Sequence, residues 1–541
     1  MAWTVIVVTA LVLPLLAICQ GKVVFKEEDL PNRSLNIITK NDIETDSEII
    51  ITSTLNSLDT ESNNIESIET DNKIVEQHDN NNSETNDSIN LPSTDKNKPL
   101  ILTSLLERGL KKEARDACRV DPSLFLGFES YAGFFTVNKT YNSNVFFWYF
   151  PVENKPVNET PWIIWLQGGP GASSLVGLFE EIGPFKISPE EKLIKNPYTW
   201  LKNHSLLFID NPIGAGFSFT ESKDGFVKDM ATYSKHLFKT VQQFLQVFPE
   251  LKLAPLYVAG ESYAGKYVPA LAMELHKHKH KPAQDVNLQG VIIGNAYVDP
   301  AMIAQVTQTY YNFGLLEKEQ MEDIEPLATA FQRDIANHNS VGAKNKWMSL
   351  ISILLFITNQ NHAYNFLKDE VALGNCSGFL KKPEIKKALH VGEINFSFVN
   401  VTTNMVMAPD FLSSAKHLFE KLLEHYRVLT YCGQLDLMLP CLFTSENYRT
   451  WKWSGASDFL KATRYPFKFN KKLAGYSKTG GRLTEVVVRG AGHMVPADVP
   501  APAQALVARW THNESLAPRN PLLESTFIHE YIANNSAVFY L

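Results

Sequence analysis

The sequence predicts an α/β fold: a mostly parallel central sheet with flanking helices and a helical cap insertion. Three observations lead there. Short, dense apolar runs recur after about residue 100, and segments with helical spacing separate several of them. One run also leads straight into Gly260-Glu261-Ser262-Tyr263-Ala264-Gly265. Runs without polar alternation suit strands buried on both faces, as in a sheet sandwiched between helices.

From the N-terminus, residues 1–21 begin with an uncharged apolar stretch ending in Ala17-Ile18-Cys19, which reads as a cleaved signal peptide despite lacking a basic start. It is short for a span, has no basic flank, and no later stretch reaches spanning length, so no stable membrane span is expected. Residues 22–99 carry 17 acidic and 7 basic side chains and one aromatic, Phe25. Such a segment cannot bury enough apolar surface to offset its ordering entropy, and reads as a disordered acidic pro-segment or spacer. It accounts for more than the whole chain's net charge of −7, so net charge says little about a ligand of the folded part.

Residues 100–541 read as one folded catalytic domain. Phe146–Phe150, Trp162–Leu166, Leu206–Ile209, Leu256–Ala259, Val291–Ile293, Val428–Tyr431 and Val486–Val488 are the expected strands. Tyr233–Phe248 and Leu412–Tyr426 have helical periodicity between them. Residues at about 300–410 break the alternation with helical stretches (Gln320–Arg333, Lys344–Phe356, Pro383–Leu389) and read as the cap, placed over the edge where such sheets bind ligands. Eleven Asn-x-Ser/Thr sequons fit a secretory route: Asn32, Asn81, Asn86, Asn138, Asn158, Asn203, Asn375, Asn395, Asn400, Asn513 and Asn534. After loss of Cys19, Cys118, Cys376, Cys432 and Cys441 remain, which permits two disulfides in three connectivities.

The chemistry begins at Ser262. A strand, Gly-x-Ser-x-Gly and then a helix describe a nucleophile elbow, whose strained turn lifts the serine hydroxyl clear of the sheet. A hydroxyl needs a base and an oxyanion site. Asp436 follows one strand in Tyr431-Cys432-Gly433-Gln434-Leu435-Asp436, and His493 follows another in Gly490-Ala491-Gly492-His493-Met494-Val495-Pro496. The order Ser…Asp…His is that of the α/β-hydrolase fold. Upstream, Trp165-Leu166-Gln167-Gly168-Gly169-Pro170-Gly171 occupies the place of the oxyanion loop, with the Gly169 and Tyr263 N–H groups as donors. The bland alternatives are a turn serine, a satisfied buried histidine and an aspartate that caps a helix.

These motifs resemble the serine carboxypeptidases of lysosomal and vacuolar type, most closely their vitellogenic-like branch. The matching stretches are 260–269, 490–496, Asp210–Ser218 and Ile293-Gly294-Asn295, and the similarity spans about residues 115–513. The resemblance implies release of single residues from peptide C-termini, best in acid, with the substrate carboxylate gripped by hydrogen bonds at Gln167, Gly168, Glu181 and Glu261. A carboxyl-to-carboxylate hydrogen bond needs one shared proton, so such a grip weakens as that proton is lost. This chain departs from the family's usual Asn at Gln167, its usual Cys at Ala172, and its Gly-Asp-x-Asp at Gly433–Asp436.

His276-Lys277-His278-Lys279-His280 has interleaved lysines and no carboxylate, so it reads as a solvated helix end. No His-Glu-x-x-His signature or phosphate loop occurs, and neither metal, organic cofactor nor nucleic acid is expected. Two other readings share the fold: acyl transfer to an alcohol or amine by the same triad, and a non-catalytic carrier or storage protein. Oligomeric state is not legible.

Overall fold

A computed structural model describes residues 97–371 and 374–517. The readings of residues 1–21 and of nearly all of 22–99 fall outside the described residues, as do Asn32, Asn81, Asn86 and Asn534. The strands are β1 (Tyr131–Asn138), β2 (Ser143–Phe150), β3 (Trp162–Leu166), β4 (Phe185–Ile187), β5 (Leu193–Lys195), β6 (Ser205–Ile209), β7 (Leu256–Glu261), β8 (Leu288–Gly294), β9 (Arg427–Gly433), β10 (Arg464–Phe469), β11 (Lys472–Gly480) and β12 (Leu483–Val488). Ten form one sheet in the order β1-β2-β6-β3-β7-β8-β9-β12-β11-β10, and β4 pairs with β5. The inner six strands, β6 to β12, run parallel. Antiparallel partners extend the sheet at both edges.

Every apolar run read as a strand lies in this sheet. In β2 the alternation is literal: Val145, Phe147 and Tyr149 enter one layer, while Phe146, Trp148 and Phe150 enter the other. Burial on both faces is why such strands show no polar period. The edge pair β10–β11 was not legible, because Arg464–Phe469 is mostly exposed or half-exposed and carries Arg, Pro and Lys.

Helices cover both layers. Met230–Val247, capped by Asp229 Oδ1 accepting from Thr232 N at 2.8 Å, packs beside Ala264–Lys277 on one face. Pro500–Thr511 covers the other through Leu506, Val507 and Trp510. Between β8 and β9 lie the helices Val306–Asn312, Lys318–Ala336, Ser340–Ile357, Cys376–Leu380, Pro383–Ala388, Val401–Val406 and Lys416–Leu423. Among the described residues no helix is long and apolar enough to cross a membrane.

One disulfide joins Cys432 to Cys441. No bond joins Cys118 to Cys376: the first is buried in one layer and the second in the other, so the sheet stands between them.

The chain passes from β3 outward to β6 and returns to β7 on the opposite side of β3. Strand order reverses there, and the carboxyl ends of β3 and β7 flank the crevice where such sheets hold ligands.

Candidate active site

At the end of β7 the backbone turns sharply. Ser262 holds a left-handed φ of 61°, a conformation unfavourable for a side-chain-bearing residue. The turn is fixed by Ser262 N donating to Gly294 O (3.0 Å) and by Tyr297 N donating to Ser262 O (2.8 Å). Helix Ala264–Lys277 starts at once behind it. Ser262 remains partly exposed whereas its neighbour Glu261 is sealed.

The Gln167–Gly171 loop lies directly on this elbow. A Cβ at position 168 would stand 2.5 Å from Tyr263 N and 2.8 Å from Ser262 Cβ, so only glycine permits the approach. Neither the Gly169 nor the Tyr263 N–H has a hydrogen-bond acceptor among the described residues. Both are therefore open donors, as an oxyanion site requires.

Asp436 and His493 are brought into contact. His493 Nδ1 lies 2.8 Å from Asp436 Oδ2, and both side chains are buried. Asp436 Oδ1 also accepts from Met438 N (2.7 Å) and Leu439 N (3.2 Å), while Oδ2 accepts from Asn295 Nδ2 (2.6 Å). Asn295 in turn accepts from Gly433 N through Oδ1 at 3.1 Å. Ser262 Oγ makes no hydrogen bond among the described residues; its relation to the imidazole is one of placement, at the carboxyl ends of the parallel strands β7 and β12 of one sheet.

Two further residues hold the Asp436 and His493 loops. Tyr364 O accepts from His493 N at 2.6 Å, and its ring stands edge-on to the imidazole with centroids 5.1 Å apart. Ala363 O accepts from Leu437 N and Met438 N (3.0 and 3.1 Å). Beneath the elbow, fully buried Lys266 donates to the Asp410 and Phe411 carbonyls at 2.6 and 2.9 Å, and Asp410 Oδ2 accepts from Tyr263 OH at 2.8 Å. Burial pushes the Lys266 amine down to about 8, against the opposing pull of Asp410. In the sequence Asn295 stands out only as part of the Ile293-Gly294-Asn295 motif, and Tyr364, Lys266 and Asp410 carry no local signal.

Beside the serine is a sealed polar cluster. Gln167 Nε2 donates to Glu261 Oε1 at 3.0 Å and approaches Glu181 Oε1 at 3.5 Å, while Gln167 Oε1 accepts from Trp165 Nε1 at 2.9 Å. Glu181 arrives on a π-helical turn, Gly177–Ile182, a type of local distortion often found at functional sites. Gly177 is required there, because a Cβ would run into the Trp165 indole. Burial lifts the Glu181 carboxyl to about 7, and burial together with the Glu181 charge holds Glu261 well above the usual carboxylate range. Glu181 Oε2 and Glu261 Oε2 have no hydrogen-bond partner among the described residues, because two carboxylates can only accept; one proton on Glu261 supplies the missing donor. Neighbouring Glu180 turns away and takes Gly374 N with both oxygens (3.1 and 3.0 Å).

Among the described residues no cluster of three His, Cys, Asp or Glu side chains is arranged to hold a metal. The sequons at Asn158, Asn375, Asn395 and Asn513 are exposed, and those at Asn138, Asn203 and Asn400 are half-buried. Asn375 and Asn400 also cap helices through Oδ1.

The serine carboxypeptidase family profile matches residues 121–513. Vitellogenic carboxypeptidase of Aedes aegypti is 38% identical over 431 residues, covering 77% of this chain and 91% of that protein. Probable serine carboxypeptidase CPVL of Homo sapiens is 34% identical over 451 residues, covering 79% and 92%. Among solved structures, the prohormone-processing carboxypeptidase Kex1(delta)p of Saccharomyces cerevisiae aligns with a TM-score of 0.66 at 23% identity, covering 74% of this chain and 96% of that one.

Proposed function

The chain belongs to the serine carboxypeptidase family and is a peptidase hydrolase; from that premise we propose that Ser262, His493 and Asp436 remove single residues from peptide C-termini. Ser262 Oγ attacks the last peptide carbonyl as His493 takes its proton. The Asp436 contact keeps the His493 proton on Nδ1, leaving Nε2 for the serine, and stabilises the imidazolium that forms. The Gly169 and Tyr263 N–H groups receive the oxyanion. His493 then protonates the departing amino group, the acyl-enzyme remains, and a water deprotonated by His493 frees the shortened peptide.

The observation that supports an exopeptidase over a general serine hydrolase is the sealed Gln167–Glu261–Glu181 cluster one residue from the nucleophile. Gln167, Gly168, Glu181 and Glu261 grip the substrate carboxylate through a shared proton. The sign follows from the raised carboxyls. The shared proton sits on Glu261, which burial and the Glu181 charge hold well above the usual carboxylate range, so the pair keeps it through the acidic range and the grip is acid-favoured. A signal peptide at residues 1–21 takes the protein into the secretory pathway, to the extracellular or lysosomal lumen.

Purified protein and Ser262→Ala are compared on an N-blocked dipeptide and its C-terminal amide at acidic pH. The acid is expected to be cleaved at least ~10-fold faster than the amide, reflecting one lost charge-assisted hydrogen bond, and the variant is expected to be inactive. Equal rates on acid and amide would overturn the carboxylate grip. Activity surviving in Ser262→Ala would overturn the nucleophile.

A further inference from the structure

Four neighbouring strands each place one residue at the same level beside Ser262. Leu166 on β3 pairs with Gly260 on β7, so Gln167 stands level with Glu261. Glu261 pairs with Gly294 on β8, and Gly294 pairs with Tyr431 on β9. Trp165, Tyr257, Ala259, Ile292, Leu429 and Tyr431 all enter the same layer, so by the two-residue period of a strand the whole row faces one way. The third position carries no side chain. Tyr431 fills that gap: a Cβ at 294 would meet its Cζ at 2.5 Å and its Oη at 2.6 Å. The ring therefore lies over Gly294, the residue of the row next to Glu261.

The Tyr431 hydroxyl is buried and has no hydrogen-bond partner among the described residues, and the same holds for Glu181 Oε2 and Glu261 Oε2. A buried hydroxyl left unpaired is costly unless some state of the protein uses it. Two carboxyl oxygens that depend on a single proton and one donor short of an acceptor share this corner of the core. Tyr431 interacts electrostatically with both carboxyls.

We infer that Tyr431 is a positioning residue of the carboxylate site, its hydroxyl donating to Glu261 when the Glu181–Glu261 pair gives up a proton. This rests on the proposed carboxylate grip and deepens it. Tyr431 makes the ionised state of the pair easier to reach, and so helps set the pH at which the grip is released. The other charged groups facing the pair are His493 and Asp436 from the loops after β12 and β9, Lys186 on β4, and Glu180 on the π-helical turn. None is a neutral donor that leaves the net charge unchanged, which is what Tyr431 adds.

The test is the pH dependence of kcat/KM on the blocked dipeptide acid and its amide, for wild type and Tyr431→Phe. Removing a donor to the ionised pair raises its apparent pKa. The alkaline fall on the acid substrate is then expected to move up by about one pH unit, with the amide profile unmoved. Replacing Tyr431 with 3-fluorotyrosine, a more acidic donor, is expected to move the same limb downward; this second substitution preserves the packing of the ring and hydroxyl. An unmoved limb, or one that moves the same way in both variants, overturns the role of Tyr431. A wild type that treats acid and amide alike overturns the grip itself and this inference with it.

Discussion

Asn295→Ala probes how Asp436 is held. Asn295 Nδ2 donates to Asp436 Oδ2 at 2.6 Å, on the oxygen that His493 also uses, and Asn295 Oδ1 accepts from Gly433 N at 3.1 Å. Both bonds lie in the interior, where Asn295 and Asp436 are each 1% exposed. A hydrogen bond to a buried charge contributes about 1.5–3 kcal/mol. If that loss falls on the transition state, where Asp436 must oppose an imidazolium, kcat drops roughly 10- to 150-fold. KM changes little, because Asn295 contacts the acid and not the carboxylate site. Stability also falls by about 1–3 kcal/mol, because the Gly433 N–H is left without an acceptor and alanine is placed at a φ of 39°. Initial rates of amino-acid release give kcat and KM, and titration with an active-site phosphonate corrects for unfolded enzyme. A corrected kcat within threefold of wild type would refute the argument, as would a loss carried wholly by KM.

Lys266→Met leaves the Asp410 carboxylate buried without its cation and is expected to cost about 3–5 kcal/mol in urea unfolding. Lys266→Met/Asp410→Asn should recover at least half of that, and strictly additive losses would show that the two charges do not act as a pair. A pH series tests the raised carboxyls. Glu180 and Glu181 lie near 7 and Asp210 near 6, each lifted chiefly by burial. The folded protein therefore holds protons that the unfolded chain has released. The stability they contribute is full below about pH 4, and is lost as pH rises through 6 to 7, on the order of 3 kcal/mol for each glutamate. The Tm should fall between pH 5 and 8, with a shallower fall in Glu181→Gln; a Tm that climbs over that range would contradict the assignment.

The strands and the Ser262, Asp436 and His493 motifs were legible because each is local. An apolar run announces a strand, and a glycine-flanked turn announces a backbone forced into an unusual conformation. The unread residues act across the fold. Asn295 meets Asp436 only because β8 lies beside β9, and Tyr431 reaches over Gly294 only at the observed register. Lys266 looks like any helix lysine until the chain returns near residue 410 to cover it. Cysteine count allowed a second disulfide that only the two-layer architecture rules out for Cys118 with Cys376.

Glu261 and Ser262 are consecutive residues, which sets a length scale for the substrate. Their Cα atoms are about 3.8 Å apart across one peptide unit. In a substrate, the scissile carbonyl carbon and the terminal carboxylate carbon are separated by one nitrogen and one Cα, also roughly 3–4 Å. In the proposed reading, with Glu261 helping to hold the carboxylate and Ser262 attacking, a single substrate residue lies between grip and attack. The sheet leaves little slack, because Glu261 is fully buried and held by Gln167, and Ser262 is fixed by its backbone bonds to Gly294 and Tyr297. A blocked dipeptide ending in β-alanine inserts one methylene, about 1.5 Å, between the two groups. A misplacement of that size costs about 100-fold when both ends are fixed, so kcat/KM should fall by that order relative to the alanine substrate. Rates within threefold of each other would mean that the carboxylate is not held while the serine attacks, and the one-residue spacing would lose its physical basis.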